Sequence, residues 1–340
     1  MTDITSTTLY QKTLGCLIGG LIGDAIGTPS EGLEYNEIEA RFGWIEDFDC
    51  DGTDDTVMKD LLAEALLRSG GYATLDDWAQ VWLDRWQAIF GAKQQKFFIS
   101  VLHTAQKLKR HAVPRMAALG NMPSSSSAMC ISPVGVVNAC NPTQAALQAY
   151  NLAGLIHVHD VGFCQDGAAA IAAAVAAAMH PQATVDSVLD AAAQTILPLS
   201  GEQMRARIAQ ALDLASTCDT YDIFRQTVYA RREHFFCRIT CDSRETVPLA
   251  LALVALGQGD VERCVTYAAN LGRDADTIGT MCGAIAGALG GVESIREDWL
   301  AKARALASTD QDNLAQKLCT VALAKAEREN AALAALAEIA

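Results

Sequence analysis

The chain has 340 residues, of which 51% are hydrophobic and 19% are charged, and its formal net charge is −14. This length allows one large domain or two ordinary ones, and the composition provides enough apolar side chain for a substantial core. The acidic balance argues against nucleic acid and against an anionic membrane surface as partners, because both select clustered Lys and Arg.

Helical periodicity dominates the chain from one end to the other. Apolar residues recur three and four positions apart, which is the spacing of helices packed in layers. The segments with this pattern are 10–22, 56–68, 77–89, 95–108, 143–155, 165–179, 183–195, 202–215, 221–231, 245–256, 260–270, 275–289, 294–306 and 311–336. Convincing strands are few and no internal repeat is visible. We therefore predict a single all-α domain over residues 1–340, with the C-terminal helices of 294–336 packed on the rest.

A glycine-rich stretch, GGLIGDAIGTPSEGLE, spans residues 19–34. It follows no predicted strand, and it has neither the G-x-G-x-x-G fingerprint nor the lysine of a phosphate-binding loop. A nucleotide-binding fold is therefore not expected. Glu31, beside Ser30 and Gly32, is open to two interpretations, a turn residue or a functional carboxylate.

Two clusters of oxygen-bearing side chains stand where predicted helices begin. They consist of Thr53, Asp54 and Asp55 in TDDT, and of Asp274, Asp276 and Thr277 in RDADT. Helix capping accounts for one carboxylate in each cluster. The helix that follows the second cluster is too apolar to face solvent, and several carboxylates buried together need a cation to neutralise them.

All six of these side chains are hard oxygen donors, with no His or Cys among them. Such a set suits Mg²⁺, Mn²⁺ or Ca²⁺ better than zinc or copper. Four carboxylates exceed what one small dication usually receives, so two ions about 3.5–4 Å apart are plausible. Two unrelated helix caps are the alternative that this reasoning leaves open.

Together these stretches resemble the ADP-ribosylglycohydrolase family, in order, over about residues 8–292. The motifs that carry the resemblance are LGCLIGGLIGDAIGTPSEGL, TDDT and GRDADTIGTMCGAIAGALGG, and supporting blocks are SSSAMCISPVG, LAGLIHVHDVGFCQDGAAA and ETVPLALALVAL. The resemblance implies an all-α fold with two Mg²⁺ or Mn²⁺ ions at the base of a cleft. It also implies hydrolysis of a glycosidic bond at C1 of ribose, typically one that joins ADP-ribose to an arginine, a serine or another acceptor.

The resemblance further implies roles for individual residues. The metal ligands would be Thr53, Asp54, Asp55, Asp274, Asp276 and Thr277. The catalytic residues would be Glu31, Asp55 and Asp276, with Glu31 acting as an acid/base or as a gate. The substrate-binding residues would be Ser126, Ser127, Ala128, Met129, His157 and Arg273.

The chain departs from the family pattern in the phosphate loop. Where the family usually has G-N-G-A-A-M-R, this chain reads GNMPSSSSAMCISP, so Ser126 replaces a glycine and Cys130 replaces an arginine. The change removes a bidentate phosphate donor, although the serines of 124–127 can offer hydroxyl and backbone N–H groups.

Two further departures lie elsewhere in the chain. Arg273 replaces a glycine and would either bring a cation near the metal site or pair with an Asp. No counterpart of some members' substrate-covering loop is visible between 89 and 120.

The sequence thus predicts a metal-dependent glycohydrolase that acts on an ADP-ribosylated substrate or a ribosyl metabolite. Two alternatives stay open. One is a hydrolase of a nucleoside-like or other small riboside that lacks the diphosphate, which the loss of the arginine favours. The other is a non-catalytic ADP-ribose-binding protein of the same fold, which the full set of ligand positions disfavours.

The cysteines and the apolar stretches bear on the compartment. Eleven cysteines are scattered among apolar residues, a pattern more typical of reduced thiols than of a disulfide framework. The first ten residues, MTDITSTTLY, lack the features of a secretory signal peptide. No apolar stretch reaches the roughly 18–20 residues that span a bilayer. We expect a cytoplasmic protein without a membrane segment.

Overall fold

A computed structural model describes residues 3–340 of the chain, and these form nineteen α-helices and no β-sheet. The helices are α1 Thr8–Gly27, α2 Tyr35–Phe42, α3 Asp54–Arg68, α4 Leu75–Asp84, α5 Trp86–Phe90, α6 Ile99–Lys109, α7 Pro114–Ala117, α8 Ser132–Val137, α9 Pro142–Ala153, α10 Phe163–Ala178, α11 Val185–Gln194, α12 Glu202–Thr217, α13 Tyr221–Ala230, α14 Arg232–Phe235, α15 Ser243–Leu256, α16 Val261–Leu271, α17 Ala275–Gly290, α18 Glu297–Leu306 and α19 Gln311–Ala337. The predicted all-α class is confirmed.

The differences from the predicted helices lie at ends and in short elements. The predicted helix 77–89 is divided into α4 and α5, because the backbone leaves the helical conformation at Arg85 (φ −103°, ψ 32°). Segment 95–108 begins as a 3₁₀ turn and becomes helical only at Ile99. Helices α2, α7, α8 and α14 were missed; none exceeds eight residues, which is too short for helical periodicity to be recognised.

The centre of the molecule is the antiparallel pair α1 and α17, whose backbones touch. A Cβ atom added at Gly19 would lie 2.3 Å from the carbonyl oxygen of Gly283, and one added at Gly23 would lie 2.0 Å from that of Gly279. Only glycine permits so close an approach. The last turn of α1 consequently meets the first turn of α17, where the second acidic cluster begins.

The other helices surround this pair. Helix α10 packs against α8, α9, α11, α15 and α17, and its many alanines allow close contact on all sides. Helix α19 packs against α1, α3 and α8, whereas its last turns are exposed. Within residues 3–340, no helix combines the length and the apolar composition required to cross a membrane. The sequence-based boundaries at 8–292 and 294–336 stay a prediction.

Candidate active site

Asp24, in the last turns of α1, anchors the first acidic cluster. Its side chain is fully buried and accepts hydrogen bonds from the Thr53 backbone N–H (2.8 Å) and the Thr53 hydroxyl (2.9 Å). It also accepts from the Thr56 backbone N–H (3.0 Å) and the Thr56 hydroxyl (2.6 Å). The start of α3 is therefore held on the end of α1 by one carboxylate.

Gly52 makes this contact possible. Its φ is +79°, and a Cβ atom at this position would lie 2.3 Å from Oδ2 of Asp24. The left-handed backbone and the lack of a side chain are both required here. No role was predicted for Asp24; the signal for one was a lone carboxylate inside an otherwise apolar, glycine-rich helix.

The structure brings the two acidic clusters together in two overlapping groups. In the first, carboxylate oxygens of Asp24, Asp55 and Asp276 lie within 4.8 Å of one another. In the second, oxygens of Glu31, Asp274 and Asp276 do the same. Asp276 belongs to both groups, so it lies where two neighbouring cations could share a ligand.

The threonines of the predicted ligand set lie beside these carboxylates. The Thr53 hydroxyl is 3.3 Å from Oδ2 of Asp55 and 3.4 Å from Oδ2 of Asp276. The Thr277 hydroxyl is 3.5 Å from Oδ2 of Asp55. Asp54 is buried but belongs to neither group of three.

Burial and mutual repulsion raise the pKa values of these carboxylates and so disfavour their ionised form. Burial first, and the neighbouring carboxylates second, raise the pKa values of Asp54, Asp55 and Asp276 well above the ordinary range. Burial and the charge of Glu31 raise the pKa of Asp274 to about 7. Such a set is stable in ionised form only when cations neutralise it.

The donor set fits hard divalent cations. Oδ1 of Asp55 and Oδ1 of Asp276 are buried and have no hydrogen-bond partner within residues 3–340. Unsatisfied buried carboxylate oxygens are costly, and coordination of a cation satisfies them. The available ligands are oxygens alone, which Mg²⁺ and Mn²⁺ accept.

Glu31 stands at the rim of this cluster on an anchored loop. The Gly32 N–H donates to the Arg273 carbonyl (2.6 Å), and the Arg273 N–H donates to the Leu33 carbonyl (2.8 Å). The Glu31 side chain is 39% exposed and forms an ion pair with Lys96 at 3.0 Å. Because the backbone on its C-terminal side is tied to the second acidic cluster, a gating movement of Glu31 would be mainly a side-chain movement.

The serine loop is buried, and hydrogen bonds within the protein already engage its hydroxyls. The Ser125 hydroxyl donates to Oδ2 of Asp274 (3.1 Å), and Ser126 accepts from the Ser124 hydroxyl (2.9 Å). Ser127 is hydrogen-bonded to Nδ1 of His157 (2.9 Å). The side chains of the predicted substrate-binding residues Ser126, Ser127, Ala128 and Met129 are all buried. This loop therefore has few free hydroxyls to offer to a phosphate.

His157 lies behind the loop. Its Nε2 is hydrogen-bonded to Ser124 (2.9 Å) and its Nδ1 to Ser127 (2.9 Å), and the side chain is fully buried. Burial lowers the pKa of His157 to about 3, so the imidazole is neutral. These contacts favour a positioning role for His157, and its predicted contact with substrate stays a prediction.

Arg273 is also engaged. Its guanidinium donates to both carboxylate oxygens of Glu245 (2.8 and 2.9 Å) and to the Cys237 carbonyl (2.9 Å). It pairs with a glutamate and not with one of the site's aspartates. Cys130, which stands where the family has an arginine, is fully buried. In this arrangement the Arg273 guanidinium is already paired, and Cys130 supplies no positive charge to a ligand.

The titration of the cluster predicts how stability changes with pH. In metal-depleted protein the raised pKa values mean that the folded state binds more protons than the unfolded state between about pH 4 and pH 7, so stability falls as pH rises through that window. We expect the thermal midpoint in EDTA to be lower at about pH 7.5 than at about pH 5, and Mg²⁺ to restore it mainly at the higher pH, because protons compete for the same oxygens. Scanning fluorimetry measures both; a midpoint in EDTA that rises over this interval would contradict the assignment.

Comparison with known proteins identifies a family that this chain matches. A family model described as ADP-ribosylglycohydrolase matches residues 5–330. The uncharacterised protein YegU of Escherichia coli (strain K12) is 31% identical over 309 residues, which cover 84% of this chain and 89% of YegU. The ADP-ribosylhydrolase ARH3 of Homo sapiens is 24% identical over 337 residues, covering 87% of this chain and 90% of ARH3.

A solved structure shares the fold. It is described as an ADP-ribosylglycohydrolase-related protein complex and aligns with a TM-score of 0.69, covering 92% of this chain and 99% of its own at 21% sequence identity. The likeness extends over nearly the whole of both chains and shows that they share the fold.

Proposed function

The chain belongs to the ADP-ribosylglycohydrolase family, and from this premise we propose that it is a hydrolase that uses two Mg²⁺ or Mn²⁺ ions to cleave the glycosidic bond at C1 of ribose. We further propose that the ribosyl group is ADP-ribose, attached to an acceptor or present as a small derivative. The cytoplasm is the proposed compartment, which is supported by eleven cysteines that are all free thiols.

The observation that carries this proposal is the pair of carboxylate groups that share Asp276. Each group has three carboxylate oxygens within 4.8 Å of one another. Asp55 and Asp276, which are members of these groups, each also have a buried oxygen without a hydrogen-bond partner within residues 3–340. A protein without a cation at this place would gain nothing from so costly an arrangement. Two neighbouring groups with a common carboxylate support a two-ion site.

The residues of the site then have distinct tasks. Divalent cations supply Lewis-acid polarisation and acidify a nearby water when they are bound. The aspartates would hold the ions, and Asp55 or Asp276 would accept a proton from the attacking water. Glu31, at the rim, acts as an acid/base or controls access, which suits a bond that breaks with oxocarbenium character.

A substrate screen by product mass tests the proposal. Purified protein is incubated with ADP-ribosyl-arginine, an ADP-ribosyl-serine peptide and several nucleosides, in Mg²⁺, in EDTA and in EDTA followed by excess Mg²⁺. We expect ADP-ribose to be released from at least one ADP-ribosyl substrate, EDTA to abolish the release, and Mg²⁺ to restore it. Binding of ADP-ribose without turnover of any substrate would show instead that the protein is a non-catalytic binder.

One observation favours a second candidate, hydrolysis of a riboside without a diphosphate. Cys130 occupies the position of the family's phosphate-binding arginine, and the serine hydroxyls beside it are engaged within the protein. Release of free ribose from nucleosides, with no release of ADP-ribose, would support this candidate over the first.

A further inference from the structure

The segment 91–98, between α5 and α6, lies across the rim of the acidic site. The Lys93 ammonium group donates to the Gly52 carbonyl (2.9 Å) and pairs with Asp51 (2.9 Å). The Lys96 ammonium group pairs with Glu31 at 3.0 Å. Two lysines thus tie this segment to the loop before α3 and to the loop after α1. No substrate-covering loop was predicted between 89 and 120, yet this part of the chain reaches the site.

Lys96 lies in the field of the acidic groups themselves. Burial lowers its pKa, but the hydrogen bond with Glu31 and the negative charges of Glu31, Asp276 and Asp54 outweigh that and raise it. Its ammonium group pairs with Glu31, which belongs to the second carboxylate group of the site. An anionic substrate that approaches this site gains a favourable electrostatic contact from such a cation at its rim.

The other groups that could receive a phosphate are already engaged. Arg273 is held by Glu245, whose side chain is fully buried. Lys93 is bonded to the backbone that leads into α3. By contrast, the side chains of Lys96 and Glu31 are 36% and 39% exposed. Ion pairs this exposed contribute little to stability, so the pair can be exchanged at small cost.

We propose that Lys96 binds a phosphate group of the ribosyl substrate, exchanging its ion pair with Glu31 for that group. The inference rests on the proposed function and adds to it a residue that sets specificity for phosphorylated ribosides. A phosphate presents several charged oxygens and is a stronger partner for an ammonium group than a half-exposed carboxylate. The exchange also frees the Glu31 carboxylate, which shares a group with Asp274 and Asp276, from its ion pair with Lys96.

Calorimetric titration with ADP-ribose in the presence of Mg²⁺ measures the contribution of Lys96. We expect Lys96→Ala to raise the dissociation constant about tenfold, the loss of one charge-assisted contact to phosphate, and Lys96→Arg to retain most of the affinity. Lys109→Ala is the matched control, because it removes the same charge from an exposed lysine that lies over the Trp86 ring. We expect this control to bind ADP-ribose as the unchanged protein does.

A double-mutant cycle with Glu31→Gln separates contact with substrate from an effect through Glu31. If Lys96 touches the phosphate, Lys96→Ala weakens binding about tenfold in the Glu31→Gln background as well. If Lys96 only positions Glu31, the effect disappears in that background, which overturns the inference. Equal affinities of Lys96→Ala and the unchanged protein overturn it too. Absence of any ADP-ribose binding by the unchanged protein would overturn the proposed function and this inference together.

Discussion

Replacing Asp276 by Asn is expected to abolish the binding of both metal ions and to lower the rate of glycosidic hydrolysis by at least about a thousandfold. Asp276 is the carboxylate that belongs to both oxygen groups of the site. An amide offers one neutral oxygen where the carboxylate offers two charged ones, so both ions lose a ligand at once. Metal analysis of the purified variant and the Mg²⁺-dependent rate measure the two effects.

The same variant has a second expected property, in the opposite direction. Burial and the charges of Asp274 and Glu31 raise the pKa of Asp276, so removing its charge relieves repulsion when no cation is bound. We expect the thermal midpoint of metal-depleted Asp276→Asn to exceed that of the metal-depleted unchanged protein near neutral pH. A residue with a merely structural role would lower this midpoint when replaced.

Asp55→Asn and Asp76→Asn complete the comparison. Asp55 belongs to only one of the two groups. We therefore expect Asp55→Asn to lose turnover but to retain cation binding at the other group, formed by Glu31, Asp274 and Asp276. Asp76, exposed in the first turn of α4, is the control for the same chemical change at the start of another helix. Mg²⁺-dependent turnover that is unchanged in both Asp55→Asn and Asp276→Asn would end the assignment of this site.

The second large effect is expected from Gly23→Ala. The added Cβ atom would lie 2.0 Å from the Gly279 carbonyl oxygen and 2.2 Å from its carbonyl carbon, both on the backbone of α17. Backbone atoms within a helix cannot turn aside, so α1 and α17 must separate. We expect the free energy of unfolding to fall by about 3 kcal/mol and metal affinity to fall with it, because Asp24 and Asp276 are carried on these helices.

Gly20→Ala is the matched control, three residues earlier on the same helix. There the new Cβ atom would lie 3.4 Å from the nearest atoms, the Ala284 side chain and the Thr280 carbonyl oxygen. Alanine also has the higher helix propensity, by about 1 kcal/mol. We expect Gly20→Ala to leave stability near that of the unchanged protein, as measured by chemical denaturation. Equal stabilities of Gly20→Ala and Gly23→Ala would refute the close approach of α1 and α17.

Helices of ten or more residues and the two acidic clusters could be predicted from the sequence, because their signals are local. Apolar residues at helical spacing predict a helix wherever it packs. Carboxylates beside a threonine at the head of an apolar helix indicate an unusual site without any knowledge of the partner. The short helices α2, α7, α8 and α14 gave no such signal, and the break at Arg85 interrupts a segment whose periodicity continues.

The interactions of the remaining site residues could not be predicted from the sequence. Asp24 is one carboxylate in a hydrophobic helix, and nothing near it in sequence shows that Thr53 and Thr56 donate to it. Lys96 lies in an undistinguished polar segment and pairs with Glu31, 65 positions away. Arg273 was open to two interpretations, and its partner is Glu245, which neither interpretation named.

Residue types and their spacing along the chain were enough to predict an all-helical protein with two clusters of carboxylates at helix starts. Packing between distant helices decides which carboxylates come together, which serines and arginines are already engaged, and which lysine lies at the rim. The reason is geometric: the glycine contacts of α1 with α17 set the distance between Asp24 and Asp276, and those residues are more than two hundred positions apart. No local pattern encodes such a distance.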